Sequence, residues 1–531
     1  MEAIMKSLSH IATPAVVIVA AALLGATAAS PTATIACEKL VDVRLPNTTI
    51  SAAQAITAGS FTPSGGNAIN ALPPFCRVAG EIHPTNDSHI LFELWLPLQS
   101  WNGKFAGVGN WGWAGSQPFF GLAEQVRRGY ATASTNTGHQ AMPGFDMAKF
   151  AFGHPEQLID FAYRAYHETT VKAKELTQTF YGKSPEHSYF IGCSSGGCEG
   201  LMEAQRFPAD YDGIVAGAPA NNWTRLMAGD LDAILAVAKD STTNLSSVLG
   251  LLYRAALASC DATDGVADGV LEDPRRCAFD PATLRCRAMQ SPSATCLTPA
   301  QVEAARRVYR GLQEPTTSAQ LYPGVAPGSE PFWPNRNPAN PFPIPIAHYR
   351  WLVFADSSWD WRTFDFTKPA DHDAFLRSES RLAPMLNATN PNLRDFQRRG
   401  GKLLQYHGWS DQLIAPQNSI DYYESVVSFF AASRDRGGAL RDVQSFYRLY
   451  MVPGMAHCGG GPGPTAFDMQ TALEKWVEQG SPPEAVVATR SLGVLNGIVD
   501  RSRPLCPYPK VAVYRGEGDT NDAANFSCRD R

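Results

Sequence analysis

At 531 residues the chain exceeds what one ordinary core organises, so a large unit carrying a sizeable insertion is expected. With 44% hydrophobic, 18% charged and 10% aromatic residues it has the make-up of a globular protein, which excludes a disordered or fibrous chain. A net charge of −5 without any Lys/Arg run excludes the electrostatic footprint of a nucleic-acid binder.

The N-terminus reads as an export signal over residues 1–28. Lys6 gives a positive start, Ile11 to Leu24 an apolar stretch, and Ala26-Thr27-Ala28 the small residues of a cleavage site. Thr13 and Pro14 interrupt the apolar run, which falls short of the roughly 20 residues of a membrane span. The mature chain is therefore expected to be secreted or periplasmic, free of the membrane. All eleven cysteines follow the signal, as an oxidising compartment allows. Their odd number leaves at least one thiol over if pairing is intramolecular. No pair has C-x-x-C spacing, and structural zinc is not expected from them.

Strands are predicted at His89–Pro97 and Lys104–Val108, leading into the loop Gly107-Val108-Gly109-Asn110-Trp111-Gly112. Helical spacing of Leu158, Phe161, Ala162, Ala165 and Tyr166 predicts a long helix from Pro155 to Thr179. The apolar run Ser188–Ile191 is a strand, followed by a glycine-rich turn, a helix from about Gly197 to Phe207, and a strand at Gly213–Gly217. From about Asn221 to Phe396 the regular alternation stops: six prolines fall within Pro331–Pro345, and four cysteines cluster. Alternation resumes with a strand at Lys402–His407, a helix at Ile420–Ala431, a strand at Gln444–Tyr450 and a helix at about Thr465–Gln479. Strands alternating with helices give an α/β fold, a mostly parallel sheet with helices on both faces. The reading is a discontinuous catalytic domain, residues 29–220 and 397–531, closing around an inserted lid domain, residues 221–396.

Gly192-Cys193-Ser194-Ser195-Gly196 fits G-x-S-x-G and lies after an apolar strand and before a helix, as a nucleophile elbow must. The serine there occupies a strained turn, so small residues are needed on both sides. A serine hydroxyl is a poor nucleophile, so a histidine must take its proton and a carboxylate must hold that histidine's tautomer. In this fold the chain order is Ser, acid, His. His457, in Gly454-Met455-Ala456-His457-Cys458-Gly459-Gly460, follows the last strand in a glycine-rich loop and is the expected base. Asp411, just beyond the Lys402 strand, is the expected acid. His407, at the end of that strand, is the rival histidine, whose ordinary role would be structural.

Ser194 and His457 each neighbour a cysteine, Cys193 and Cys458. If hydroxyl and imidazole meet, their backbones come within the usual disulfide Cα separation of about 4.4–6.8 Å. A thiol nucleophile at Cys193 or Cys198 leaves this paired arrangement unexplained. The oxyanion hole is expected from the backbone N–H of Ser195 and of Gly109 in the glycine-rich loop.

The elbow Gly-Cys-Ser-Ser-Gly-Gly, the Ser/Asp/His order, the adjacent Cys193 and Cys458, and the cysteine-rich insertion resemble the tannase and feruloyl esterase family over about Cys37 to Cys528. The resemblance implies an α/β-hydrolase with a lid, cleaving esters of aromatic acids. It implies disulfides Cys37–Cys76, Cys193–Cys458, Cys260–Cys277, Cys286–Cys296 and Cys506–Cys528, with Cys198 left over. It further implies a calcium loop at Cys260–Val270, with carboxylates of Asp261, Asp264 and Asp268 and carbonyls of Val266 and Val270 as ligands. Hard oxygen donors suit Ca²⁺, and three carboxylates this close would repel without a cation. No organic cofactor is expected.

The expected activity is thus hydrolysis of small phenolic-acid esters of feruloyl type through an acyl-enzyme. A tannase acting on gallate esters, a terephthalate-monoester hydrolase and a peptidase are alternatives on the same scaffold, and a non-catalytic secreted binding protein is the alternative in kind. The lid aromatics Tyr349, Trp351, Phe354, Trp359 and Trp361 are expected to wall the acyl pocket.

Overall fold

The computed structural model describes residues 33–238, 241–287, 295–337, 340–433, 435–491 and 497–530. The export signal expected over 1–28 lies outside the described residues. Nine strands form the main sheet: β1 (Thr48–Ile56), β2 (Phe75–Ile82), β3 (Ile90–Pro97), β4 (Lys104–Val108), β5 (Ala131–Thr135), β6 (His187–Cys193), β7 (Gly213–Gly217), β8 (Lys402–Gly408) and β9 (Tyr447–Val452). Their spatial order is β1-β2-β3-β5-β4-β6-β7-β8-β9. From β5 to β9 all neighbours are parallel, while β1, β2 and β3 extend the sheet antiparallel. The helices that matter for the site are α1 (Phe119–Arg127), α2 (Ala165–Tyr181), α3 (Ser195–Arg206), α4 (Trp223–Ala238), α5 (Pro416–Phe430) and α6 (Met469–Gln479).

The period-two rule of strands sends alternate residues to opposite faces. On one face Phe105, Phe190, Ile214, Leu403 and Leu449 pack with residues of α2, α3 and α5. On the other, Ala106, Tyr189, Val215, Leu404 and Tyr450 pack against Leu473 and Trp476 of α6. Both faces are covered, so the parallel strands read as continuous apolar runs. The helices expected from Ile420 and from about Thr465 begin at Pro416 and Met469, and two further departures have local causes. The long helix is interrupted by a π turn at Asp160–Arg164, where Arg164 pairs with Asp160 one turn back. Gln444 ends a helix, Arg436–Gln444, started by Asp435 accepting the Gly438 N–H at 2.8 Å, so the strand begins only at Tyr447.

Residues 218–401 run between adjacent parallel strands, β7 and β8. The chain leaves and re-enters at one place: the Ala388 N–H donates to the Asn221 carbonyl at 2.8 Å. Within the insertion Arg307 pairs with Asp232 of α4. Tyr349, Trp351 and Trp361 are buried, and Phe354 stacks on Trp359 with centroids 4.9 Å apart. Tyr349, Phe354 and Trp359 pack on one another inside the insertion, whereas Trp351 packs on Phe152 of the main unit. The five rings belong to the core and its edge, and none walls the cavity that holds Ser194, the role expected of them. The C-terminal stretch adds two hairpins, Val486–Ser491 with Val499–Leu505 and Val511–Tyr514 with Phe526–Arg529, which the sequence reading did not anticipate. No helix among the described residues is long and apolar enough to cross a membrane.

Candidate active site

Ser194 joins β6 to α3 with φ 66° and ψ −121°. A non-glycine at positive φ is strained by about 1–3 kcal/mol and persists only where its surroundings hold it. Here its N–H donates to the Gly217 carbonyl at 2.9 Å, and its carbonyl accepts from Cys198 at 3.1 Å and Ala220 at 3.0 Å. The flanking glycines are required by close approach: a Cβ on Gly192 would lie 2.3 Å from the Gly196 carbonyl oxygen, and one on Gly196 2.8 Å from that of Asn110.

Asp411 and His457 come from the loops after β8 and β9, neighbouring strands. His457 Nδ1 lies 2.8 Å from Asp411 Oδ2. The other oxygen, Oδ1, accepts the N–H of Leu413 at 2.8 Å and of Ile414 at 3.0 Å. Asp411 is fully buried. Burial opposes its charge, yet the His457 and His407 rings beside it hold its carboxyl well below the usual carboxylate range. Burial likewise disfavours the His457 imidazolium, but the Asp411 carboxylate overrides this and raises the histidine's pKa. His407, the rival, is buried behind the acid. Its Nε2 lies 3.2 Å from Asp411 Oδ2 and 3.0 Å from the Ile414 carbonyl, and its Nδ1 lies 2.7 Å from Ser419 Oγ.

The Cys193–Cys458 disulfide, with Cα atoms 6.0 Å apart, ties the turn carrying Ser194 to the loop carrying His457. Both side chains face one cavity. His457 Nε2 lies 3.6 Å from Cys458 Sγ. Among the described residues no hydrogen bond reaches Ser194 Oγ; such contacts are often long until substrate is bound. The structure also bonds Cys37 to Cys76, Cys260 to Cys277, Cys286 to Cys296 and Cys506 to Cys528. Cys198 is the free thiol, and burial pushes it up to about 12, which suits an inert core residue rather than a nucleophile.

Ser195, first residue of α3, has no earlier helical turn to take its N–H, and it lines the cavity. Gly109 does not fill the role expected of it: its N–H is spent on the Ile191 carbonyl at 3.0 Å, continuing the β4–β6 ladder. The next N–H, of Asn110, donates to Glu199 Oε2 at 3.0 Å. Trp111 and Gly112, the following residues, do line the cavity. Glu199 was invisible to sequence reasoning. It lies one turn and a half beyond Ser194 on α3, is buried, and burial pushes its carboxyl up to about 8 against the lowering by the Asn110 N–H.

The cavity measures about 450 Å³, within the range of small-molecule sites. Trp111 and Trp113 of the loop, Trp223, Leu226 and Met227 of α4, and Phe342 and Ile344 of the insertion form its walls, with Asp230 among them.

In the loop proposed for calcium, Asp264, Val266, Asp268 and Val270 line a second cavity of about 20 Å³, together with Glu272 and Arg503. That is room for a single ion or water. Asp261 is not on this cavity; its carboxylate accepts the N–H groups of Asp268 and Gly269 at 2.9–3.2 Å. Asp268 also pairs with Arg501 and Arg503. The three aspartates are thus not gathered to within 4.8 Å of one another. The oxygen-rich set at the small cavity nevertheless fits a hard cation.

A mostly parallel sheet, a serine on a strained strand-to-helix turn after β6, and an acid and a histidine in the loops after β8 and β9 define an α/β-hydrolase. The family model for tannase and feruloyl esterase matches residues 76–529. The chain is 38% identical to an uncharacterized esterase of Xanthomonas campestris pv. campestris, covering 96% of this chain and 94% of that one. It is 32% identical to a probable feruloyl esterase B-2 of Aspergillus terreus, covering 92% and 93%. The crystal structure of feruloyl esterase B from Aspergillus oryzae matches with TM-score 0.85 at 31% identity, covering 93% of this chain and 99% of that one. The chain belongs to the tannase and feruloyl esterase family, and is accordingly a carboxylic-ester hydrolase.

Proposed function

We propose that the protein is a secreted serine esterase of phenolic-acid esters, feruloyl esterase-like, with Ser194 as nucleophile, His457 as base and Asp411 as the acid behind it. The observation that carries this reading is the disulfide joining Cys193 to Cys458, which fastens the Asp411–His457 pair to the Ser194 turn at one cavity. His457 takes the proton of Ser194 Oγ as that oxygen bonds to the ester carbon, and Asp411 stabilises the imidazolium. The Ser195 N–H and one from the Trp111–Gly112 stretch, in place of Gly109, receive the oxyanion. His457 then returns the proton to the departing alcohol, leaving an acyl-serine. Water, deprotonated by the same histidine, releases the acid and restores the serine.

A cavity walled by tryptophans and aliphatic side chains suits a planar aromatic acyl group, and the feruloyl esterase relatives point the same way. Calcium in the insertion's loop, held by Asp264 and Asp268 with Val266 and Val270, would be structural and supply rigidity. Asp261, the third carboxylate expected there, accepts the backbone N–H groups of Asp268 and Gly269 and so holds the loop's shape. Five disulfides support export. The test is a rate comparison across methyl ferulate, methyl gallate and a terephthalate monoester, with Ser194→Ala alongside. Preference for ferulate and loss of turnover in a folded Ser194→Ala protein are expected. Preference for gallate or terephthalate moves the substrate assignment, and undiminished hydrolysis by Ser194→Ala rejects the nucleophile.

A further inference from the structure

We infer that Glu81, His83 and His89 form a surface site for a divalent transition-metal ion of the zinc class, separate from the esterase cavity and from the insertion's loop. Strands β2 and β3 pair antiparallel, with Ile82 opposite Ile90 and Glu81 opposite Leu91. One step further along the same register sets His83 opposite His89, and Glu81, two residues from His83, shares its face. The backbone ladder therefore brings two imidazoles and a carboxylate to one spot. Glu81 Oε1 lies 3.0 Å from His89 Nδ1, and Glu81 Oε2 lies 3.5 Å from His83 Nε2. One ligand atom from each residue falls within 4.8 Å of the other two. Ligands about 2.0–2.2 Å from a tetrahedral zinc stand roughly 3.4 Å apart, so little movement is needed to close on an ion.

The tautomer of His83 is already set. Its Nδ1 lies 3.1 Å from the Ser88 carbonyl, which can only accept, so the proton sits there and the Nε2 lone pair faces the cluster. A backbone carbonyl behind a ligating imidazole is the usual device for orienting a metal ligand. Among the described residues no lysine or arginine pairs with Glu81. The other His/carboxylate group, His167, Glu203 and Asp210, differs in this respect, since the Lys174 ammonium bonds the Asp210 carbonyl and supplies local positive charge. Two nitrogens and one oxygen favour Zn²⁺, Cu²⁺, Ni²⁺ or Co²⁺ over Ca²⁺ and Mg²⁺. All three side chains are partly exposed, which lets an ion enter and leaves a coordination position to water. Bridging residues 83 and 89 would clasp the two ends of the β2–β3 connection.

The experiment is calorimetric titration of the untagged full chain with Zn²⁺, with calcium in excess to fill any hard-cation site, alongside visible absorption on adding Co²⁺. Wild type should bind one zinc that Glu81→Gln and His89→Asn each weaken by at least about tenfold. The cobalt band should vanish in both variants, and His167→Ala should leave both readouts unchanged. Glu81→Gln and His89→Asn alter side chains that are partly exposed, and circular dichroism confirms that they fold. Zinc binding of the same affinity in the two variants, or no cobalt band in wild type, overturns the assignment.

Discussion

Replacing Asp411 by asparagine changes one atom and should remove almost all turnover. Asp411 accepts from four donors: the N–H groups of Leu413 and Ile414 on Oδ1, and His457 and His407 on Oδ2. In Asp411→Asn the two backbone amides will keep the side-chain carbonyl oxygen, which turns the new NH₂ toward both imidazoles. An NH₂ cannot accept, so His457 must place its own proton on Nε2, where it can no longer take one from Ser194. A base held in the wrong tautomer costs about 10⁴ in kcat, or about 5.5 kcal/mol. The pH profile supplies a second reading. The base works when neutral, and Asp411 raises the His457 pKa, so wild-type kcat/KM should fall as pH drops through a value above the ordinary histidine one. Asp411→Asn withdraws the carboxylate, and this acid limb should move to lower pH. Initial rates on methyl ferulate across pH, with thermal melting to confirm folding, measure both. A folded variant losing less than about tenfold, with its acid limb unmoved, would refute the pairing of roles.

Removing the Cys193–Cys458 bridge as Cys193→Ala/Cys458→Ala should cost about 2–5 kcal/mol and lower kcat by about a hundredfold through misplacement of the base; melting and rate measurements on the same preparation separate the two. Glu199→Ala strips the acceptor from the buried Asn110 N–H, about 1–3 kcal/mol of local order, so kcat should fall about 10–100-fold with KM steady, and Glu199→Gln, which keeps an acceptor, should recover most of it. Chelation of calcium should lower the melting temperature by several degrees, as loss of a ligand at about 100 Kd removes about 2.7 kcal/mol, and Asp264→Asn should melt at the same temperature with or without chelator.

What the chain reveals on inspection depends on how local the cause is. Strands β4, β6, β7 and β8 were legible because parallel strands buried on both faces are short apolar runs. Strand β5, Ala131-Thr132-Ala133-Ser134-Thr135, was not. It is small and polar yet wholly buried, and hydroxyls of Ser134 and Thr135 find the carbonyls of Val108 and Leu91, partners remote in sequence. The serine turn was legible because its glycines sit at fixed offsets, and the histidine because its cysteine neighbour answers the one beside the serine. Gly109 misled because nothing local says that the Ile191 carbonyl claims its N–H. Tyr349 and Trp361 misled for a related reason: a ring that fills a core and a ring that walls a pocket read alike in one dimension. Glu199 and His407 act through contacts with Asn110 and Asp411 that only the folded chain supplies.

The most direct measurement is mass spectrometry of the intact and digested protein after reaction with a fluorophosphonate. A single adduct on the peptide carrying Ser194, blocked by competing methyl ferulate and absent in Ser194→Ala, is the predicted result. An adduct on another residue, or none from a preparation that hydrolyses esters, would contradict the assignment of the nucleophile.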